Sequence, residues 1–111
     1  NQIAYLYEPY HPAVVRSLKR VFQVSNEKGI SVSVCGEIAG DPHFLPLLLG
    51  LGGKAFSAVS PLIPELKFFA RCFSMNEAND LTMKVEGFHR PSQINGELKG
   101  FYEDRVSELV S

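Results

Sequence analysis

The sequence lacks long hydrophobic runs, an excess of charge of one sign and closely spaced metal ligands. Its longest apolar stretch, 44–51, contains a proline and a glycine and falls far short of the ~18 residues of a membrane span. The 11 basic and 12 acidic residues nearly cancel, which argues against nucleic-acid binding. CxxC and HExxH motifs are absent. We expect no membrane insertion, no nucleic-acid partner and no metal ligands within this chain.

Cysteine is also scarce. Two cysteines, Cys35 and Cys72, could pair by count, but nothing else suggests a secreted disulfide scaffold. Reduced thiols in a cytoplasmic protein are the expectation. Cys72 falls in a predicted helix, outside any motif, and is interpreted as structural.

The first half of the chain predicts a helix followed by a strand. Proline is tolerated at a first helical position, so His11-Pro12 predicts a helix start, and Gly29 predicts its end. A stripe at helical spacing is expected to face the core: Val14, Leu18, Val21, Phe22 and Ser25. Residues 30–35 then alternate strictly between apolar and small side chains. This alternation fits an antiparallel sheet with a solvated serine face or a parallel barrel with that face inward.

Further elements follow a turn at 36–43. We predict a helix over 43–50, a strand over 54–59 and a helix over 64–73. Ser74 and Glu77 have capping-box spacing and predict another helix start, with Gly87 closing that helix. Its buried stripe is predicted as Ala78, Leu81, Thr82 and Val85. A loop over 88–96 and a last helix over 97–110 complete the prediction, with Leu98, Phe101, Tyr102, Val106 and Leu109 inward.

The alternation of helix and strand favours an α/β fold with parallel strands. Two strands are too few for such a sheet, because strands buried on both faces need neighbours. Together with the apolar residues at the start, this predicts the C-terminal part of a larger α/β fold.

The turn lies in a run of residues that resembles a known family. The sequence CGEIAGD at 35–41 is similar to the cysteine-containing signature of the phosphoenolpyruvate (PEP)-utilising enzymes. Similar segments flank it in register: LYEP at 6–9, HPAV at 11–14, LLLGLG at 47–52, AFS at 55–57 and IPELK at 63–67. Within that superfamily, the chain most resembles enzyme I of the sugar phosphotransferase system, the phosphoenolpyruvate–protein phosphotransferases. The resemblance covers residues 1–75.

This resemblance implies the C-terminal portion of a TIM (β/α)8 barrel, with about two parallel strands, flanking helices and C-terminal helices. Residues 1–111 would be a partial PEP-binding domain, with barrel-derived βα units over 1–75 and a helical extension over 76–111. A whole barrel needs ~250 residues, so this chain would supply only a part.

The resemblance also implies a role for Cys35. From the residues alone, Cys35 is interpreted as a buried small hydrophobic residue. In the family, PEP phosphorylates an enzyme histidine, and the cysteine of this motif protonates the resulting enolpyruvate to pyruvate. Gly36 and Glu37 would bind substrate, with Gly36 allowing close backbone approach. Glu37 is either a group around the ligand or a partner for turn amides.

Cofactor and partners are likewise implied by the resemblance. They are Mg²⁺, whose ligands would lie upstream of this chain, PEP, the phosphocarrier protein HPr and a second copy in a homodimer. None of His11, His43 and His89 has the sequence context of the family's phosphorylated histidine, so the chain alone is expected to be inactive. The alternatives are a pyruvate phosphate dikinase or PEP synthase, a nitrogen-related paralogue of enzyme I, and a non-catalytic dimerisation segment.

Overall fold

The computed structural model describes residues 10–34, 37–56, 61 and 63–110, without the side chains of residues 37, 55, 56 and 108–110. Its elements follow one another along the chain. They are α1 (Pro12–Lys28), β1 (Ser33–Val34), α2 (Glu37–Gly40), a 3-10 helix (Pro42–Phe44), α3 (Leu45–Gly50), β2 (Ala55–Phe56), α4 (Ile63–Ala70), α5 (Met75–Glu86) and α6 (Pro91–Val110). Residues 1–9 lie outside the described residues.

Helix α1 begins and ends where the sequence predicts. His11 caps its start, because Nδ1 accepts a hydrogen bond of 3.0 Å from the backbone N–H of Ala13. Pro12 occupies the first turn, where no intrahelical donor is needed. Gly29 ends the helix with φ of 68°, the left-handed conformation that glycine adopts at little cost.

The buried face of α1 is rotated from the predicted stripe. Val14, Phe22 and Ser25 are buried as expected. Val21 is 47% exposed, so its assignment to the core is wrong, and Val15 is buried instead.

The two strands are much shorter than predicted. Ser33 pairs with Ala55 and Val34 with Phe56 in parallel register. The predicted strand over 30–35 fails at its start because the backbone N–H of Ile30 donates to Ser25 O at 2.9 Å. That bond completes the end of α1, so Ile30 leaves the sheet and is 58% exposed. Residues 57–60 of the second predicted strand lie outside the described residues.

The predicted α/β fold class, a portion of a TIM (β/α)8 barrel, is wrong. Helices make up 76% of the described residues, which form one pair of short strands without a larger sheet or a barrel. A pair of two-residue strands buries little apolar surface. Helices therefore supply the core: its fully buried side chains include Phe44, Leu47, Leu48, Phe69, Val85, Ile94 and Leu98.

Helix α5 agrees with its prediction. The Ser74 hydroxyl accepts from the Glu77 N–H at 3.1 Å, and Glu77 Oε1 accepts from the Ser74 N–H at 2.9 Å. This is the predicted capping box. The predicted stripe is buried: Ala78, Leu81, Thr82 and Val85.

Helices α3 and α5 approach closely at Gly50. A Cβ atom there would lie 2.0 Å from Thr82 Oγ1 and 2.8 Å from the carbonyl oxygen of Ala78. Gly50 is thus both the last residue of α3 and the point at which α3 packs against α5.

The predicted loop over 88–96 is wrong, because α6 already begins at Pro91. Gln93 Oε1 accepts hydrogen bonds of 3.1 Å from the backbone N–H groups of both His89 and Arg90. This cap satisfies donors just before the helix, and Pro91 is compatible with a first helical turn. Asn95 and Gly96, which suggested a loop, lie inside α6. Leu98 and Phe101 are buried as predicted, Tyr102 and Val106 are partly buried, and the side chain of Leu109 is outside the described residues.

Candidate functional site

The candidate site is the turn between β1 and α2. Because β1 and β2 are parallel, their carboxyl ends lie side by side at Val34 and Phe56. Cys35 and Gly36 follow β1 directly, and both lie outside the described residues. The backbone of Glu37 opens α2, but its side chain is not described. The predicted roles of all three therefore remain predictions, and the structure defines the elements on both sides of the turn.

Helix α2 is fixed by burial and by the residue after it. Ile38 and Ala39 are both buried. The backbone N–H of Asp41 donates to Ile38 O at 3.4 Å, which extends the helical turn. The 3-10 helix then follows and contacts α2. The chain from Glu37 to Gly50 is therefore a nearly continuous series of helical segments.

The Asp41 carboxylate joins three groups. Its Oδ1 accepts from the backbone N–H of His43 at 3.0 Å and lies 2.9 Å from His43 Nδ1. Its Oδ2 accepts from the hydroxyl group of Tyr10 at 3.0 Å. An ionised carboxylate only accepts hydrogen bonds, so the imidazole carries its hydrogen on Nδ1 in this contact. Asp41 thus caps the 3-10 helix and binds Tyr10, the residue before the cap of α1.

Tyr10 is held by its ring and by its hydroxyl group. The ring stacks on Phe44 with centroids 5.0 Å apart. Burial, followed by the charge of Asp41 and the hydrogen bond to it, raises the pKa of Tyr10 to about 12. The phenol therefore remains a neutral donor to Asp41 across the physiological range.

His43 extends these contacts to α6. The centroid of its ring lies 4.6 Å from the centroid of the Tyr102 ring, at an interplanar angle of 57°. The Tyr102 hydroxyl group donates to Glu65 Oε1 at 3.2 Å, and its ring meets Phe69 at 4.7 Å. Burial first, and then the hydrogen bond and charge of Glu65, raise the pKa of Tyr102. We call these linked polar side chains the Asp41 network: Tyr10, Asp41, His43, Tyr102 and Glu65.

Cys72 lies between α4 and α5. Its thiol donates to the carbonyl oxygen of Phe68 at 3.3 Å, in the segment that follows α4, so its predicted position inside a helix is wrong by two residues. Burial raises the pKa of Cys72, which favours the protonated thiol. These features agree with a structural role.

Sequence reasoning missed the Asp41 network. In the sequence, Asp41 was assigned only to the CGEIAGD run at 35–41, and His43 only to the start of the predicted helix over 43–50. Asp-Pro followed by histidine is a local signal for a carboxylate cap and could have identified the contact between Asp41 and His43. The contacts with Tyr10 and Tyr102 join residues 31 positions apart or more and have no local signal.

Metal-binding clusters and membrane-spanning helices are both absent from the part of the chain that the structure describes. No three His, Cys, Asp or Glu side chains come together there as a metal site. None of the described helices is long and apolar enough to span a bilayer.

Comparison with known proteins identifies the class. The family model for the PEP-utilising enzyme, PEP-binding domain, matches residues 1–75, including the turn and both strands. The chain belongs to the family of PEP-utilising enzymes.

Its relatives share one name, phosphoenolpyruvate-protein phosphotransferase. That of Chlamydia trachomatis serovar D is 44% identical over 75 residues, which are 68% of this chain and 13% of the relative. That of Staphylococcus carnosus is 38% identical over 85 residues, 77% of this chain and 15% of the relative. That of Latilactobacillus sakei is 31% identical over 106 residues, 95% of this chain and 18% of the relative. The chain therefore spans less than a fifth of the length of these relatives, and the similarity to the last one extends through most of α6.

Proposed function

We propose that this chain forms part of the PEP-binding domain of a phosphotransferase, and that Cys35 protonates the enolate left when PEP gives up its phosphoryl group. The observation that supports this best is the parallel pairing of β1 with β2. It places the carboxyl end of β1 next to that of β2 and makes Cys35 the first residue beyond the strand. The names of the relatives support the reaction class.

The proposed reaction has two balanced steps. A histidine nitrogen forms a bond to phosphorus while the bond between phosphorus and the enol oxygen of PEP breaks. The electron pair stays on that oxygen and gives the enolate of pyruvate. Carbon 3 of the enolate then takes the proton of the Cys35 thiol, which yields pyruvate and a thiolate, and the thiolate recovers a proton from solvent. A thiol suits this step because it is protonated near neutral pH yet is a far stronger acid than an alcohol.

The neighbours of Cys35 are assigned supporting roles. Gly36 would let the backbone approach the substrate without a side chain in the way. Glu37 would contact the ligand or accept from amides of the turn, as the first residue of α2. Both assignments rest on the position of these residues between β1 and α2.

The phosphoryl-accepting histidine and Mg²⁺ are placed outside this chain. His11 caps α1 through Nδ1, and His43 contacts Asp41 through Nδ1. The described residues do not fit a Mg²⁺ site, since no three potential ligands converge among them, and no step is assigned to the metal. We accordingly propose that the isolated chain has no PEP turnover and that HPr binds elsewhere on the full-length protein. We also propose that the protein acts in the cytoplasm.

Homodimerisation is a further proposal, supported by exposed apolar side chains. Phe68 on α4 is 46% exposed and Ile63 is 38% exposed. Large exposed apolar side chains on one element favour association with another protein surface. Light scattering of the full-length protein, with Phe68→Glu for comparison, tests this: a dimer that the substitution weakens supports it, and a wild-type monomer refutes it.

Separate substitution of the two cysteines of the chain tests the catalytic proposal. In the full-length protein, Cys35→Ala should reduce the steady-state rate of pyruvate formation from PEP by about 100-fold or more, within the range for loss of a general acid. Cys72→Ala is the matched control and should retain the rate, because that thiol donates to the carbonyl oxygen of Phe68, beyond the end of α4, and has no part in the proposed reaction. Normal pyruvate formation by a folded Cys35→Ala variant would refute the role of Cys35.

A further inference from the structure

The contact between Tyr102 and His43 joins the segment that matches the family model to the helices that follow it. His43 lies within the segment that matches the family model, and Tyr102 lies beyond it, on α6. Besides this ring contact at 4.6 Å, α6 packs broadly against the 3-10 helix that holds His43. The residues beyond 75 had no assigned role, and this contact brings them close to the candidate site.

A continuous series of contacts leads from Tyr102 to the turn. Tyr102 is fixed on its far side by Glu65 and Phe69. Its ring packs on His43, whose Nδ1 and backbone N–H both contact Oδ1 of Asp41. Asp41 directly follows α2 and bonds to its backbone at Ile38.

Cys35 is close to α2 along the sequence. Only Cys35 and Gly36 separate the end of β1 from the start of α2. Cys35 is therefore joined to α2 through a single residue, and a shift of α2 is transmitted to it through the chain itself. A movement of His43 that carries α2 with it changes the position of Cys35.

We propose that Tyr102 and His43 are positioning residues, through which α6 sets the placement of the Cys35 turn. This inference rests on the proposed function of Cys35. It gives the helices beyond residue 75 a role in the reaction: they fix the proton donor relative to carbon 3 of the enolate. A misplacement of ~1 Å at a reacting group costs up to about 100-fold in rate, so a ring contact of this kind has a measurable effect on kcat.

The test compares three substitutions on α6 in the full-length protein. Tyr102→Leu removes the ring that contacts His43. Tyr102→Phe keeps the ring and removes only the bond to Glu65. Phe101→Leu is the matched control, because Phe101 is buried beside Tyr102 and its ring contacts Phe69 and Phe73. Steady-state kcat and KM for PEP, with pyruvate as product, are measured for each.

The expected result is a lowered kcat for Tyr102→Leu alone. We expect a loss of about tenfold or more with KM for PEP within about twofold, since only the donor is misplaced. Tyr102→Phe and Phe101→Leu should keep kcat near the wild-type value. If Phe101→Leu lowers kcat as much as Tyr102→Leu, or if Tyr102→Phe does, the ring contact has no specific role and the proposal is wrong.

A second variant changes His43, the partner of Tyr102 in the ring contact. His43→Asn retains an amide donor near Oδ1 of Asp41 but removes the ring, and it should lower kcat as Tyr102→Leu does. This variant decides the question if Tyr102→Leu does not fold. Unchanged kcat in a folded His43→Asn protein would overturn the proposal.

A double substitution separates this inference from the proposed function. If Tyr102 acts through Cys35, adding Tyr102→Leu to Cys35→Ala should lower kcat no further, because the group being positioned is already gone. An additional loss of about tenfold would overturn the route through Cys35. Full activity of Cys35→Ala alone would instead refute the proposed function, whatever the result at Tyr102.

Discussion

The hydroxyl group of Tyr10 donates a hydrogen bond of 3.0 Å to Oδ2 of Asp41, across 31 positions of the sequence. This bond joins the residue before the cap of α1 to the residue after α2. Asp41 also caps the 3-10 helix and contacts His43. One carboxylate therefore fixes the orientation of the chain as it leaves the candidate site.

The Tyr10 bond predicts a dependence of stability on alkaline pH. The pKa of Tyr10 is raised from 10.0 to about 12 in the folded state, so folding favours the protonated phenol. The contribution of Tyr10 is complete below pH 10.0 and is lost as the pH rises to about 12. Urea unfolding across this range should show a smaller fall in the free energy of unfolding for Tyr10→Phe than for the wild-type protein. An equal fall in both would show that another group is responsible.

Gly50 is predicted to tolerate no side chain. In Gly50→Ala, the new Cβ would overlap Thr82 Oγ1 at 2.0 Å and crowd the carbonyl oxygen of Ala78, so α3 and α5 must move apart. We expect a loss of about 1 to 3 kcal/mol in the free energy of unfolding, measured with urea.

Gly96→Ala is the matched control for Gly50→Ala. Gly96 also lies in a helix, but a Cβ atom there meets nothing within 4 Å. This substitution should stabilise the protein by about 0.5 to 1 kcal/mol, because alanine loses less backbone freedom on folding. Equal effects of the two substitutions would contradict the close approach of α3 to α5.

The capping box of α5 makes a third prediction. Ser74→Ala removes the acceptor of the Glu77 N–H and should lower the free energy of unfolding by about 1 kcal/mol. Ser92→Ala, an exposed serine in the first turn of α6, should change it by less than about 0.5 kcal/mol. Thermal or urea unfolding compares the two, and a neutral Ser74→Ala would show that the cap contributes nothing.

Local signals in the sequence predicted both ends of α1 and of α5. Pro12 and Gly29 bound α1, and the pair Ser74 and Glu77 begins α5, because each of these features depends on groups within a few residues of one another. The four buried positions of α5 were likewise predicted from spacing alone. The partners in these interactions are close together in the sequence, so the sequence alone is enough to identify them.

Interactions between distant segments were not predictable in the same way. Ile30 alternates with Val32 as a strand residue would, yet its backbone N–H completes the end of α1 instead. Pro91 and Gly96 suggested a loop, but the Gln93 cap starts a helix there. The Asp41 network depends on Tyr10 and Tyr102, which reach the turn only after the helices have packed.

The most direct test of the account follows the proton that carbon 3 receives. PEP carrying one deuterium and one tritium at carbon 3, as a single geometric isomer, is converted to pyruvate by the full-length protein, and the handedness of the resulting chiral methyl group is determined. A proton delivered by the fixed Cys35 thiol adds to one face, so the wild-type protein and Cys72→Ala should give a methyl group of one hand, and Cys35→Ala a racemic one formed slowly. A methyl group of one hand, formed by Cys35→Ala at the wild-type rate, would contradict the assignment of Cys35 as the proton donor.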